Sequence, residues 1–206
     1  MLYYEELNNY MNIDEFVYVA KDRLDKDFCK HCIEKFNKDD KRYQGVVGSG
    51  TNLEIKRSID LHITTNDDWK EEDDVFYKSF KDTTLSYQEN LNHPFPNVCL
   101  AGDAEDTGYQ IQETKPGDFY TWHHDCMDDR LLTIIWYLND INEDGYTEFS
   151  SGLKIQPEMG KILMFPAQWP WVHRGYPPKY ETKYICTGWI KKIYAVVNKE
   201  EQSEQS

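Results

Sequence analysis

The chain has 206 residues, enough for one domain with a core of its own. It carries 23 Lys and Arg against 37 Asp and Glu, a net charge of −14, which argues against nucleic-acid or membrane partners recruited through a basic surface. Aromatic residues at 15% exclude a disordered acidic chain.

The first predicted element is a short strand over 16–20. Asp25 is placed to cap a helix reaching Asn37, with Phe28, Cys32, Ile33 and Phe36 at helical spacing. Cys29-Lys30-His31-Cys32 has CxxC spacing, but there is no second CxxC, so it reads as two core cysteines on one helix face. Residues 44–51 are Gly-rich and loop-like, and the alternation over 57–64 predicts a strand. The run DDWKEEDD, residues 67–74, reads as the solvated start of a helix extending to Leu91, its acids set against the N-terminal dipole. His93-Pro94-Phe95-Pro96 ends that helix.

After residue 108 the texture changes. Short apolar runs recur at 109–113, 119–124, 131–138, 147–149, 153–155, 161–165, 171–173, 184–190 and 193–197, with turn residues between them. Such spacing predicts a sandwich or barrel. Five of the six tryptophans lie from Trp122 onward, whereas residues 1–107 carry 23 of the acids, so the second half reads as the working half. The expected organisation is a single domain, 1–206. Within it, 1–107 supports a core at 108–192, and residues 199–206 are a polar tail. The odd cysteine count (Cys29, Cys32, Cys99, Cys126, Cys186), the acidic N-terminus and the lack of a membrane-length apolar run predict a soluble protein of a reducing, cytoplasmic compartment.

The chemistry centres on Trp122-His123-His124-Asp125. On a strand, residues i and i+2 share a face, so His123 and Asp125 would point inward together and His124 outward. An imidazole and a carboxylate are two members of the 2-His-1-carboxylate set that binds non-haem Fe(II). His173, 48 residues after Asp125, is the candidate third. An HxD alone is short, and hydrogen-bonded core residues would produce it equally well.

The surrounding motifs extend the pattern. Gly117 to Asp125 resembles the G-x-x-Y-x-x-H-x-D strand of Fe(II)/2-oxoglutarate oxygenases of the prolyl 4-hydroxylase branch. Arg130-Leu131-Leu132-Thr133 with Trp136-Tyr137-Leu138-Asn139 resembles its R-x-x-T/S…YLN strand. Thr147-Glu148-Phe149 resembles the end of its GGET-x-F turn, and Ile155-Gln156-Pro157, Gly160 and Phe165-Pro166 resemble the segment that follows. Lys183 to Ile190 is similar to its final K-x-x-x-T-x-W strand, with Lys183 ten residues after His173. Two positions depart from the pattern: Gly145-Tyr146 replaces a double Gly, and Thr114 stands where many members have Tyr.

The resemblance implies a mostly β fold (α+β), a double-stranded β-helix or jelly-roll core with supporting N-terminal helices. It implies Fe(II) held by His123, Asp125 and His173, 2-oxoglutarate and O2 as co-substrates, and ascorbate as an optional reductant. Lys183, Tyr137 and Thr187 would bind the co-substrate; Tyr120, Arg130 and Trp189 would approach the substrate. The implied reaction converts 2-oxoglutarate to succinate and CO2 while hydroxylating an unactivated C–H bond. The presence of Asp125 favours hydroxylation over halogenation, since related halogenases lack this carboxylate. The expected partner is a proline-containing peptide or protein. Hydroxylation of another residue, a free amino acid or a metabolite stands as the alternative, and a non-catalytic metal-binding jelly roll as the reading from a different class.

Overall fold

The computed structural model describes residues 12–91, 104–127 and 129–192. The expected turn at 93–96, Cys99, Asp128, the run 193–197 and the tail 199–206 lie outside the described residues.

Two antiparallel sheets face each other. In chain order the elements are β1 (Tyr18–Ala20), α1 (Lys26–Lys38), β2 (Tyr43–Gln44), β3 (Ile59–His62), α2 (Lys70–Asn90), β4 (Ala104–Thr114), β5 (Tyr120–His123), β6 (Arg130–Tyr137), β7 (Thr147–Phe149), β8 (Lys154–Ile155), β9 (Ile162–Pro166), β10 (His173–Gly175) and β11 (Lys183–Lys192). The larger sheet runs β1-β9-β6-β11-β4-β3-β2 and the smaller β5-β10-β7-β8. This is the expected jelly-roll arrangement.

Strand β6 shows how the layers are built. It is buried on both faces, which explains its unbroken apolar run. Ile134 and Trp136 point outward, into a cluster with Cys29, Cys32 and Phe36 of α1 and Phe76 and Phe80 of α2. Ile135 and Tyr137 point inward, to Phe149, Leu163 and Phe165 between the sheets. The helices therefore roof the outer face of the large sheet. The N-terminal half does more than supply that roof: β1 pairs with β9, and β3 with β4.

Asp25 caps α1 as expected, its Oδ1 accepting from the N–H groups of Asp27 and Phe28. The start of the second helix differs from the expectation. Residues 67–69 form a 3-10 turn, with Trp69 buried against α1, and Glu72 is also buried. The Glu72 carboxylate meets His31 and Lys35 of α1 at 2.6 and 2.7 Å, so this part of the acidic run is a clasp between helices. A charge count cannot distinguish a solvated carboxylate from one paired across an interface. Cys29 and Cys32 are buried and unbridged, and burial pushes the Cys29 thiol up to about 12.

Candidate metal centre

Strand pairing brings the two histidines together. His123, at the end of β5, lies directly opposite His173, at the start of β10. Cross-strand neighbours share a face about 5 Å apart, which removes a separation of 50 residues in sequence. Asp125 arrives differently from the expectation. Strand β5 stops at His123, and Asp125 lies beyond it, positioned by its own N–H bonded to the Ala167 carbonyl at 3.0 Å. Likewise β10 begins at His173, so Trp171 precedes the strand.

The three side chains converge. Asp125 Oδ1 lies 3.4 Å from His123 Nε2, and Asp125 Oδ2 lies 3.8 Å from His173 Nε2. All the candidate ligand atoms fall within 4.8 Å of one another. Each ring has its other nitrogen committed: His123 Nδ1 pairs with the Thr121 carbonyl at 2.8 Å and His173 Nδ1 with the Trp171 carbonyl at 3.1 Å. A carbonyl only accepts, so both rings carry hydrogen on Nδ1 and, when neutral, present a lone pair at Nε2. Burial pushes His173 down to about 4, which keeps that ring neutral near pH 7. Burial alone would raise the Asp125 carboxyl. The facing histidines when protonated, and the Thr133 hydroxyl whatever the state of those rings, pull it the other way and hold that carboxyl below the usual carboxylate range; with both rings neutral the Thr133 hydroxyl supports the carboxylate. Three acceptors thus face one small space with no hydrogen among them, an arrangement that fits a cation.

The carboxylate has its own supports. Thr133 Oγ1 donates to Asp125 Oδ2 at 2.7 Å and Trp189 Nε1 donates to the same oxygen at 3.1 Å. Sequence reasoning placed Trp189 toward substrate. Its indole N–H is instead spent on Asp125, while the Arg130 guanidinium lies 3.8 Å from the centre of its ring. Tyr120 stacks on His123 with centroids 3.6 Å apart and planes 16° from parallel.

A cavity opens from these groups. Successive inward positions of β11 line it: Lys183, Ile185, Thr187 and Trp189. Lys183 is 4% exposed and donates to the Gly145 carbonyl at 3.0 Å. It is in no ion pair with any described residue, and burial pushes its ammonium down to about 8. A buried ammonium with three hydrogens and one such acceptor fits an anionic ligand. Gly145 sits at φ +64°, and a side chain there would strike Ile141 and Pro178; this glycine is what lets the carbonyl turn toward Lys183. Opposite, Gly175 leaves open the space between Lys183 Nζ and Tyr120.

Two expected co-substrate contacts differ in detail. Tyr137 does not reach the cavity wall. It is fully buried, and its hydroxyl donates to Thr147 Oγ1 at 2.8 Å; Thr147 is the residue on the wall. Thr187 does line the cavity, but its hydroxyl hydrogen goes to the Ile134 carbonyl at 2.9 Å. The sequence reading missed Gln112, Thr147 and Gly175 as wall residues. The period-2 alternation that carries Thr114 inward also carries Gln112, and that signal was present in the sequence.

The comparisons with known proteins agree with this geometry. Residues 109–191 match the model of the 2OG-Fe(II) oxygenase superfamily, and they contain all three metal-site residues and Lys183. The fold and site are similar to those of non-haem Fe(II)- and 2-oxoglutarate-dependent dioxygenases, whose other co-substrate is O2.

Within that class the chain is prolyl 4-hydroxylase-like. It is 26% identical, over 89% of its length and 78% of the other's, to a protein of Acanthamoeba polyphaga mimivirus named "Putative prolyl 4-hydroxylase". Its fold is that of a viral collagen prolyl hydroxylase from Paramecium Bursaria Chlorella virus-1, solved with 2OG, at TM-score 0.66 and 21% identity, covering 87% of this chain and 97% of that one. It is also that of a Trichoplax adhaerens prolyl hydroxylase solved with a hypoxia inducible factor peptide fragment, at TM-score 0.68 and 17% identity, covering 91% and 86%. Among the described residues, no helix is long and apolar enough to cross a membrane.

Proposed function

We propose that the chain hydroxylates a prolyl residue of a peptide or protein, coupled to conversion of 2-oxoglutarate to succinate and CO2. The observation that carries this reading is the His123, Asp125 and His173 set opening into the same cavity as a buried lysine that has no carboxylate partner among the described residues. In this reading those three residues hold Fe(II), which when bound supplies the oxidising chemistry. Lys183 receives the far carboxylate of 2-oxoglutarate as a point charge. Thr147, whose oxygen already accepts from Tyr137, directs its own hydrogen at the same carboxylate, so Tyr137 acts through it. Thr187, whose hydroxyl hydrogen is spent on the Ile134 carbonyl, offers that end of the ligand its methyl group.

Support for a prolyl target comes from the likeness to prolyl hydroxylases, one of them solved with a peptide. Arg130 and the Trp189 ring it covers form the candidate substrate wall, with Tyr120 beside them. The net charge of −14 favours basic or neutral peptides over acidic ones.

Two measurements test the proposal. Anaerobic addition of Fe(II) and 2-oxoglutarate should produce a weak visible charge-transfer band, absent from His123→Ala and His173→Ala; no band in the wild-type protein would reject the metal assignment. Succinate release should rise with proline-containing peptides and stay at background with the same peptides carrying alanine instead. Equal turnover with both would reject the prolyl target.

A further inference from the structure

Beside the cavity lies a buried ion pair that the proposed chemistry does not use. Lys56 Nζ meets Asp60 Oδ2 at 2.6 Å, with side chains 4% and 1% exposed. Ser58 Oγ donates to the other oxygen, Oδ1, at 2.7 Å. Removing two charges from water yields little or no net stability, so a buried pair of this kind is poorly explained as a stabilising device.

Its placement suggests another role. Lys56 stands opposite Tyr120 in an isolated antiparallel bridge. The backbone around it is docked on the start of β5, with Arg57 N–H donating to the Phe119 carbonyl at 2.8 Å and Thr121 N–H to the Ile55 carbonyl at 2.9 Å. From there Lys56 Nζ sits 5.4 Å from the centre of the Tyr120 ring, and the same ring stacks on His123. The phenol thus contacts both an ammonium, attracted to its π face, and an imidazole. Asp60 fixes the ammonium, and Ser58 fixes Asp60.

His123 needs this second constraint. Its Nδ1 hydrogen bond to Thr121 sets the tautomer and the direction in which Nε2 points. A single hydrogen bond leaves the ring free to tilt about its own axis, and the stack on Tyr120 removes that freedom. We infer that Lys56 and Asp60 are a positioning pair that acts through Tyr120 to fix the plane of the His123 imidazole. Two buried lysines of the cavity region then have separate duties: Lys56 is satisfied by a carboxylate and braces a ligand, whereas Lys183 has no carboxylate among the described residues and fits an anion. The inference rests on His123 being a metal ligand.

The test is a titration of the metal-free full-length protein with Co(II), followed by visible absorption. Wild type should bind and His123→Ala should not; failure of that control would remove the metal assignment itself. Lys56→Met/Asp60→Asn leaves no unpaired buried charge. It should bind Co(II) on the order of tenfold more weakly, as expected for loss of a supporting partner of a ligand. Its visible band should be altered and its metal-free melting midpoint close to that of wild type. Lys56→Arg should bind as wild type does. In a Tyr120→Leu background the same two substitutions should change the affinity less than twofold, because the path to His123 is already cut. Wild-type affinity and band in the double variant would overturn the inference, as would an undiminished loss in the Tyr120→Leu background. If the Met-containing variant does not fold, Lys56→Gln/Asp60→Asn serves the same comparison.

Discussion

Burial changes the behaviour of Lys183, the one lysine on the cavity wall among the described residues. Its ordinary pKa of 10.5 falls to about 8 in the fold, because the cavity wall removes it from water without supplying a counter-charge. Between those values the unfolded chain holds a proton that the folded chain has released. Stability therefore rises with pH across that window, and the cost of burying the charge is fully present below pH 8. Binding of 2-oxoglutarate should reverse the balance, since its carboxylate favours the ammonium form. Above pH 8 the ligand should then bind with uptake of a proton, and its affinity should fall as pH rises. Calorimetry near pH 9 in buffers of different ionisation enthalpy measures that uptake. Lys183→Arg, which does not deprotonate, should abolish it; a wild-type protein that takes up no proton would show that Lys183 is already charged in the free fold. Trp189 provides a second residue-scale prediction. Trp189→Phe keeps a ring for Arg130 but loses the bond to Asp125 Oδ2. Metal affinity should fall on the order of tenfold, measured by Co(II) titration. Unchanged affinity would show that Thr133 alone holds the carboxylate.

At the scale of the element, the cavity is a consequence of alternation. Lys183, Ile185, Thr187 and Trp189 occupy successive inward positions on β11 and face β10 of the other sheet, where Gly175 leaves room. A Cβ at Gly175 would lie 3.6 Å from both Lys183 Nζ and Tyr120 Cβ, an ordinary contact. Ala should therefore be tolerated, whereas Gly175→Val should fill the space meant for a ligand. The expected result is a more than tenfold loss of 2-oxoglutarate affinity with Co(II) binding retained, each measured by titration. Loss of both would mean that β10 itself had moved. The strands carrying these residues were legible because apolar runs and turns alternate so regularly after residue 108. The triad was legible because HxD and His173 sit within recognisable strand motifs. What was not legible depended on partners distant in sequence. The acceptor of the Tyr137 hydroxyl, the commitment of the Trp189 N–H to Asp125 and the burial of Glu72 are all decided by which strand or helix lies opposite. Asp125 escapes the i, i+2 argument for the same reason: the tie to Ala167 positions it, not the pleat of β5.

At the scale of the whole molecule, the acidic N-terminal half and the tryptophan-rich second half form one packed body among the described residues. Trp136 of β6 is the clearest joint. It lies 5.3 Å, centroid to centroid, from Phe76 of α2 and 5.5 Å from Tyr109 of β4. Its Nε1 donates to Ser79 Oγ of α2 at 2.9 Å, and that hydroxyl donates in turn to the Arg23 carbonyl at 3.0 Å. Helix, sheet and the turn after β1 thus share one buried hydrogen-bonded chain. Removing a single link leaves an indole N–H buried without its partner, at a cost of about 1–3 kcal/mol. Ser79→Ala should lower the melting midpoint by roughly 2–4 °C for each kcal/mol in a chain of this size. The shift should be the same whether followed by far-UV circular dichroism, which reports the helices, or by fluorescence, which is dominated by tryptophans of the β core. A helix layer that merely rested on the sheet would melt first, and the substitution would separate the two curves. Coincident curves would mean that the roof and the β sandwich unfold as one unit, so that damage to α2 removes the proposed metal site without touching any of its candidate ligands.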